Sequence, residues 1–393
     1  MRRIVVVLVT AVTAMLVAGG VAAALPSETP DETPMLNGPA RAFAQVGTNV
    51  WAGGNFSEVR RRDGSLVDRV GGLAVFDSAT GNYVDAAPAL SGDVMDIDVY
   101  GNNVVVGGSF SGPSGTQRNL VVLDGTTGQV IRWYNAPALK SVLAAPQLGR
   151  VYGGGAALSA FDFSTGKKLW TRAKTIVDPD IRTHATVSAY RDLELDGSTI
   201  WAACACDWVQ GPDGAANPAK ALVKLSTEGA HDPSYSPKNA GVGAFGISVV
   251  HSGETVYLGA GGNDFLAAYS KADGRQAWRR DTSGSAQVVE IMDGQLVVGG
   301  HFWEVADQSS DRCGFRSSDP GTLDPYGECQ TRKGLAAYSF SGMLDPNWDP
   351  VLSGKYNLAW ALDPDATIGR LHVGGEFTKV AGIKQEHYAR LSP

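Results

Sequence analysis

Two pairs of acids stand out: Asp96 and Asp98, and Asp192 and Glu194, each two residues apart and each followed by a turn glycine, Gly101 or Gly197. Alternate residues of a β-strand face the same way, so each pair points to one side of its strand, with Arg191 beside the second pair. Carboxylates placed like this can bind a cation or a polar ligand, or can bond neighbouring strands and trapped water. Both readings stand on sequence alone.

A second group sets aromatic rings beside arginines. Arg60, Arg61 and Arg62 lie in one segment, Asp207 and Trp208 in another, His184 in a third, and Trp303, Arg312, Phe315, Arg316 and Tyr326 in a fourth. Rings supply contact area and guanidinium groups supply fixed donors, a combination suited to proteins or sugars. The alternative is that these residues solvate and pack long loops. Six histidines, His184, His231, His251, His301, His372 and His387, form no sequence cluster, and His301 is the best placed of them.

Signatures of common chemistries are missing. The chain has no Gly-x-Ser-x-Gly elbow, no His-Glu-x-x-His, no phosphate-binding Gly-x-x-x-x-Gly-Lys and no twelve-residue calcium loop. No catalytic or metal-ligating set is therefore assigned. Paired carboxylates for glycoside hydrolysis can still converge from strands far apart in sequence.

The elements that position these residues show as a repeat. Trp51-Ala52-Gly53-Gly54-Asn55-Phe56 recurs as Val106-Gly107-Gly108-Ser109-Phe110, Val298-Gly299-Gly300-His301-Phe302 and Val373-Gly374-Gly375-Glu376-Phe377. Weaker copies fall at Gly153-Gly154, Ala203-Cys204 and Gly259-Ala260. Seven copies spaced by roughly 54 residues match the period of propeller blades. Tight-turn phrases such as Asp77 to Gly81, Asp124 to Gly128 and Asp162 to Gly166 follow the copies, the Asp bonding backbone ahead and the Gly taking positive φ. Each unit thus contains an inner strand, a second strand ending in Gly-Gly-x-Phe, a variable loop, a third strand, a tight turn and an outer strand. The expected fold is all-β: a single β-propeller of seven four-stranded blades. The last unit ends at Pro393 without an outer strand, while Asp31 to Gly38 resembles one, so the N-terminus is expected to close the ring.

Connections from the second to the third strand, and from the outer strand to the next blade, open on one face. The long segments Ser57 to Val70, Lys174 to Thr186, Asp207 to Pro218 and Trp303 to Lys333 all fall there. Binding through that face is the expectation.

Met1-Arg2-Arg3, an apolar run to Val17 and Ala22-Ala23-Ala24 form a secretory signal over 1–24, with an uncleaved anchor as the alternative. Residues 25–30 read as a flexible leader and 31–393 as the propeller. A secreted protein follows, with cell-wall association possible and no stable membrane insertion after cleavage. The net charge of −7 becomes −9 when Arg2 and Arg3 leave, which disfavours nucleic acid as a partner. Export also makes two disulfides the expectation for four cysteines. Cys313 and Cys329 flank a Ser, Gly and Pro-rich loop, and Cys204 and Cys206 can bridge if their strand bulges. A Cys-x-Cys pair can also bind metal or exchange disulfides, but only Asp207 lies close by as a further ligand.

Thr165-Gly166-Lys167-Lys168-Leu169-Trp170, Asp273-Gly274-Arg275-Gln276-Ala277-Trp278 and the outer strand Leu344-Asp345-Pro346-Asn347-Trp348 carry a family likeness. On these the chain resembles secreted actinobacterial propellers of the PQQ-repeat-like and delta-60-repeat kind, related to quinoprotein alcohol dehydrogenases. The resemblance implies blades rather than an activity. The functional expectation is a non-catalytic, monomeric binding protein with an extracellular protein or carbohydrate partner and no cofactor. The alternatives are a PQQ-dependent oxidoreductase, which would need PQQ and calcium, or a polysaccharide lyase or hydrolase.

Overall fold

The structure is a computed structural model and describes residues 25–177, 188–241, 243–307, 329–356, 358–365 and 368–393. Alternating apolar runs separated by Gly turns pair as antiparallel strands. Among the described residues the helical element is a three-residue 3-10 turn, Pro146–Leu148. Seven sheets are each led by an inner strand: Ala40–Val46, Ser91–Tyr100, Ser141–Ala145, Ala189–Asp196, Phe245–Ser252, Ala286–Met292 and Leu358–Asp365. Each inner strand packs beside the next, and the last beside the first. That ring is a β-propeller.

The turn phrases behave as their residue types dictate. Asp77 Oδ1 accepts from the Thr80 N–H at 2.7 Å and from its hydroxyl at 2.8 Å, and Gly81 follows at φ +74°. Asp124 with Thr127 and Asp162 with Thr165 repeat the arrangement. The motif phenylalanines Phe56, Phe110, Phe302 and Phe377 are buried between sheets.

Four sheets have four full strands, but in the other three the outer position shrinks to a single bridge: Leu225 with His231, Tyr338 with Leu344, and Leu391 with Pro30. Pro233 and Pro346 follow closely in the first two cases, and a proline itself forms the third. Proline has no N–H for the ladder, so pairing stops there.

The N-terminal segment closes the ring, though with a register different from that expected. Ser27 N–H donates to Ser392 O and Asp31 N–H to Arg390 O, both at 2.9 Å. Trp348 Nε1 donates to Pro26 O at 2.9 Å. Residues 25–30, expected as a flexible leader, are thus part of the closure. Met35–Leu36 instead pairs with Glu58–Arg60. Arg390, almost wholly buried, bonds Asp31 through Nε at 2.5 Å, and Ser392 Oγ donates to the same carboxylate at 2.6 Å.

Cys204 and Cys206 are bridged, with Cα atoms 5.4 Å apart, at the end of the Thr199–Ala205 strand. Cys329 is also disulfide-bonded, while Cys313 lies outside the described residues. So do the 1–24 segment and His184, Arg312, Phe315, Arg316 and Tyr326.

The closure generates a prediction. Asp31→Ala leaves a buried guanidinium without its partner, which costs about 2 to 3 kcal/mol. Deleting 25–34 should lower the melting temperature further. A melting temperature unchanged by both would show that the ring closes without this segment.

Candidate functional site: the channel mouth and its surrounding face

Four small sheets crown one end of the ring. They join Met35–Leu36 to Glu58–Arg60 and Leu66–Arg69, and Lys174–Ile176 to Trp208–Gln210 and Ala216–Pro218. The others join Glu304–Ala306 to Cys329–Thr331, and Leu352–Ser353 to Lys379–Val380 and Ile383–Lys384. Every one is built from connections that an antiparallel blade places at the end where its inner strand begins. Among the described residues, the exposed large aromatics are Trp208 at 37%, Trp303 at 42% and Tyr356 at 51%, and all three belong to these connections. Lys333 Nζ sits 5.3 Å from the Trp303 ring centre.

The other residues singled out on this face divide. Arg60 pairs with Glu58, and Arg62 donates to Asp31 O at 2.7 Å and Gln385 Oε1 at 2.9 Å, so both serve structure. Arg61 is exposed, as is His301. Asp207 is buried, its backbone bonded to Ile176 O and to the Ala219 N–H.

Below that face the channel forms a cavity of about 270 Å³ lined by all seven inner strands. The acids line it, and their bonds show how three of them are used. Asp96 Oδ2 accepts from Val142 N–H at 2.7 Å, Asp98 Oδ2 from Ala144 N–H at 2.6 Å, and Asp192 Oδ2 from Val249 N–H at 2.8 Å. Their other oxygens accept from Ile97, Val99 and Leu193 N–H groups. An innermost strand has one edge without a ladder partner, and these carboxylates satisfy its N–H groups. The blade-bonding reading of these acids therefore holds. Glu194 instead lies 3.6 Å from His251 Nε2.

Burial and mutual repulsion raise the acids' affinity for protons. Desolvation lifts Asp98 to about 6 and Asp363 to about 6. Glu194 is lifted to about 8 by desolvation and then by Asp192 and Asp98. Asp96 and Glu290 are raised well above the ordinary carboxyl range, chiefly by desolvation, with Asp192 adding to both. No cluster of three or more His, Cys, Asp or Glu with metal-binding geometry occurs among the described residues.

Arg191 does not join the acids. It belongs to a second layer at the start of the inner strands, with Arg41, Gln287 and Trp360, which the sequence reading passed over. In six inner strands the register slips by one residue, leaving Arg41, Met95, Arg191, Ile247, Gln287 and Trp360 as the extra residues. The third inner strand pairs without a slip, and Lys140 lies just before it. All seven line the cavity. The available signal was positional: each slip faces the Gly-Gly pair of the adjoining strand or its degenerate copy, as with Val94 and Asp96 opposite Gly108 and Gly107.

The family model described as "Outer membrane protein assembly factor BamB", of the PQQ_2 type, matches residues 183–313. No curated protein matches the chain. Among solved structures, the computationally designed Ika8 protein is 15% identical with a TM-score of 0.51, over 93% of this chain and 100% of that one. BamB from Moraxella catarrhalis is 13% identical with a TM-score of 0.45, over 91% and 97%. The likeness to the designed protein is one of fold. The chain is a β-propeller with PQQ-type repeat character over 183–313.

Proposed function

We propose that this is an exported, non-catalytic binding propeller that engages an extracellular protein or carbohydrate through the crowned face. The observation that carries the reading is the distribution of exposed aromatics: Trp208, Trp303 and Tyr356 all stand on that face. Trp208 stands on a short strand and Trp303 directly precedes another, and exposed rings held in this way give contact area at small entropic cost, the chemistry of a recognition surface. The model match to a described assembly factor over 183–313 supports a scaffold role. Leu25, the first residue after the Ala-x-Ala site, packs against the core shared by the last two blades, which supports a mature chain starting there. Asp96, Asp98 and Asp192 already hold backbone N–H groups, which supports a structural rather than a glycosidase role for them.

The test immobilises the mature chain and measures capture from an extracellular fraction and from a polysaccharide panel. Substituting Trp208, Trp303 and Tyr356 together by Ala should weaken capture at least tenfold while leaving the melting temperature within about 2 °C, since exposed positions contribute little to stability. Capture undiminished in that variant would overturn the reading. So would dye reduction after addition of PQQ and Ca²⁺, or release of oligosaccharides from the panel.

The acid layer generates a second prediction. Carboxyl groups with raised folded pKa values hold protons that the unfolded chain releases above about pH 4, so their contribution to stability declines as pH rises from about 4 to about 8. Glu290→Gln removes the charge and keeps the shape. It should raise the melting temperature at pH 8 by about 2 °C or more and flatten its dependence on pH. A lower melting temperature at pH 8 would show instead that Glu290 is ionised and paired.

A further inference from the structure

The layer at the channel mouth holds three cations without ion-pair partners, Arg41 and Arg191 at slips and Lys140 just before the strand that does not slip. Among the described residues, Arg41, Lys140 and Arg191 take part in no ion pair. The two arginines lie over aromatic rings: the Arg41 guanidinium carbon lies 5.0 Å from the Trp360 ring centre, and that of Arg191 lies 5.1 Å from the ring centre of Phe245. Among the described residues, three donors of the layer are shielded from solvent and lack hydrogen-bond partners, Arg41 Nε, Arg191 Nε and Trp360 Nε1, as does one acceptor, Gln287 Oε1. Buried donors without partners are rare in folded proteins, and several converging on one cavity mark a place where a ligand supplies the missing acceptor.

The charge pattern gives the ligand's sign. Lys140, more exposed than the two arginines, is held below the ordinary lysine range by partial desolvation and then by Arg191 and Arg41. The three cations therefore repel one another across the mouth. Asp93, whose charge acts on Lys140 in the opposite direction, accepts from Asn55 Nδ2 at 2.6 Å. Asp96 and Asp192, deeper in the channel, accept from backbone N–H groups.

We propose that this mouth is an oxyanion site, in which a carboxylate, phosphate or sulfate group sits among the Arg41 and Arg191 guanidinium groups and the Lys140 ammonium. The Trp360 indole N–H acts as a neutral donor, and the rings of Trp360 and Phe245 hold the guanidinium groups in place. Planar guanidinium forks match the geometry of such oxyanions, and the sheltered mouth strengthens the attraction. The site does not depend on what binds the crowned face. The anion is either a free small molecule or an acidic group on a chain docked there.

Calorimetry and thermal melts of the mature protein decide this, with phosphate, sulfate, citrate and an Asp-rich peptide each compared with chloride at equal ionic strength. Saturable binding with a concentration-dependent rise in melting temperature is expected for at least one of them. Phosphate, sulfate or citrate acting alone identifies a free small ligand, and the peptide acting alone identifies a docked chain; either supports the site. Arg191→Gln and Arg41→Gln should each weaken binding at least tenfold. Without ligand, both variants should melt at or above the wild-type temperature, because each relieves repulsion between unpaired cations. Lys140→Gln, at the more exposed rim, provides a third variant with little risk to folding. Effects equal to those of chloride, or binding undiminished in all three variants, would overturn the proposal.

Discussion

The whole ring depends on what happens where a Gly-Gly pair faces the start of an inner strand. At Gly107 an added Cβ would lie 2.3 Å from Val142 Cγ1 of the next blade, and at Gly108 it would lie 2.2 Å from Asp93 O of its own blade. The first glycine therefore admits the neighbouring blade, and the second admits the strand's own bulged partner. A bulge sets two residues against one and bends the strand, and small residues opposite it offer little steric resistance. Blade packing and channel chemistry thus arise from one two-residue feature. The fourth blade keeps the bulge with Ala203 and Cys204 in these places, the latter tied to Cys206.

The bulge also explains why the channel has two chemically distinct layers. Past the slip, regular alternation resumes and sends Asp96, Asp98, Asp192 and Glu194 inward, where three of them close the free edge of the innermost strands. At the slip itself the extra residue faces the cavity whatever its type, and here the types are basic, amide or large apolar. The acids are constrained by backbone N–H groups that must be satisfied in any propeller of this geometry. The residues at the slip carry no such duty, so their identity is open to function.

This division sets what the sequence could reveal. The blade period, the Asp-x-x-Thr-Gly turns and the inward acids follow from spacing, because regular strands preserve alternation. Arg41, Gln287 and Trp360 do not, because a one-residue slip reverses alternation locally and strict period-two reading turns them away from the channel. Closure by the N-terminus was legible from the missing outer strand, but its register was not: Pro30 forms a single bridge, and Met35–Leu36 is drawn to the Glu58–Arg60 hairpin. The crowning sheets use strands of two to four residues, too short to show a period. The structural role of Arg62 is likewise hidden in the sequence, since its contacts with Asp31 and Gln385 span 31 and 323 residues.

The two layers lie close along the same strands yet do not neutralise each other. Arg191 and Asp192 are adjacent in sequence, but the bulge carries the guanidinium toward Phe245 while the carboxylate bonds Ser248 and Val249 of the next blade. Burial holds Arg191 below the ordinary arginine range. Burial raises the proton affinity of Asp96 and Glu290, which works against negative charge on them in the channel. The cations of the mouth are therefore set apart from the acids by the same geometry that makes the acids structural. A partly desolvated opening that carries these cations at the centre of an aromatic-bearing face steers anionic groups toward it, and the surrounding rings can hold whatever carries them.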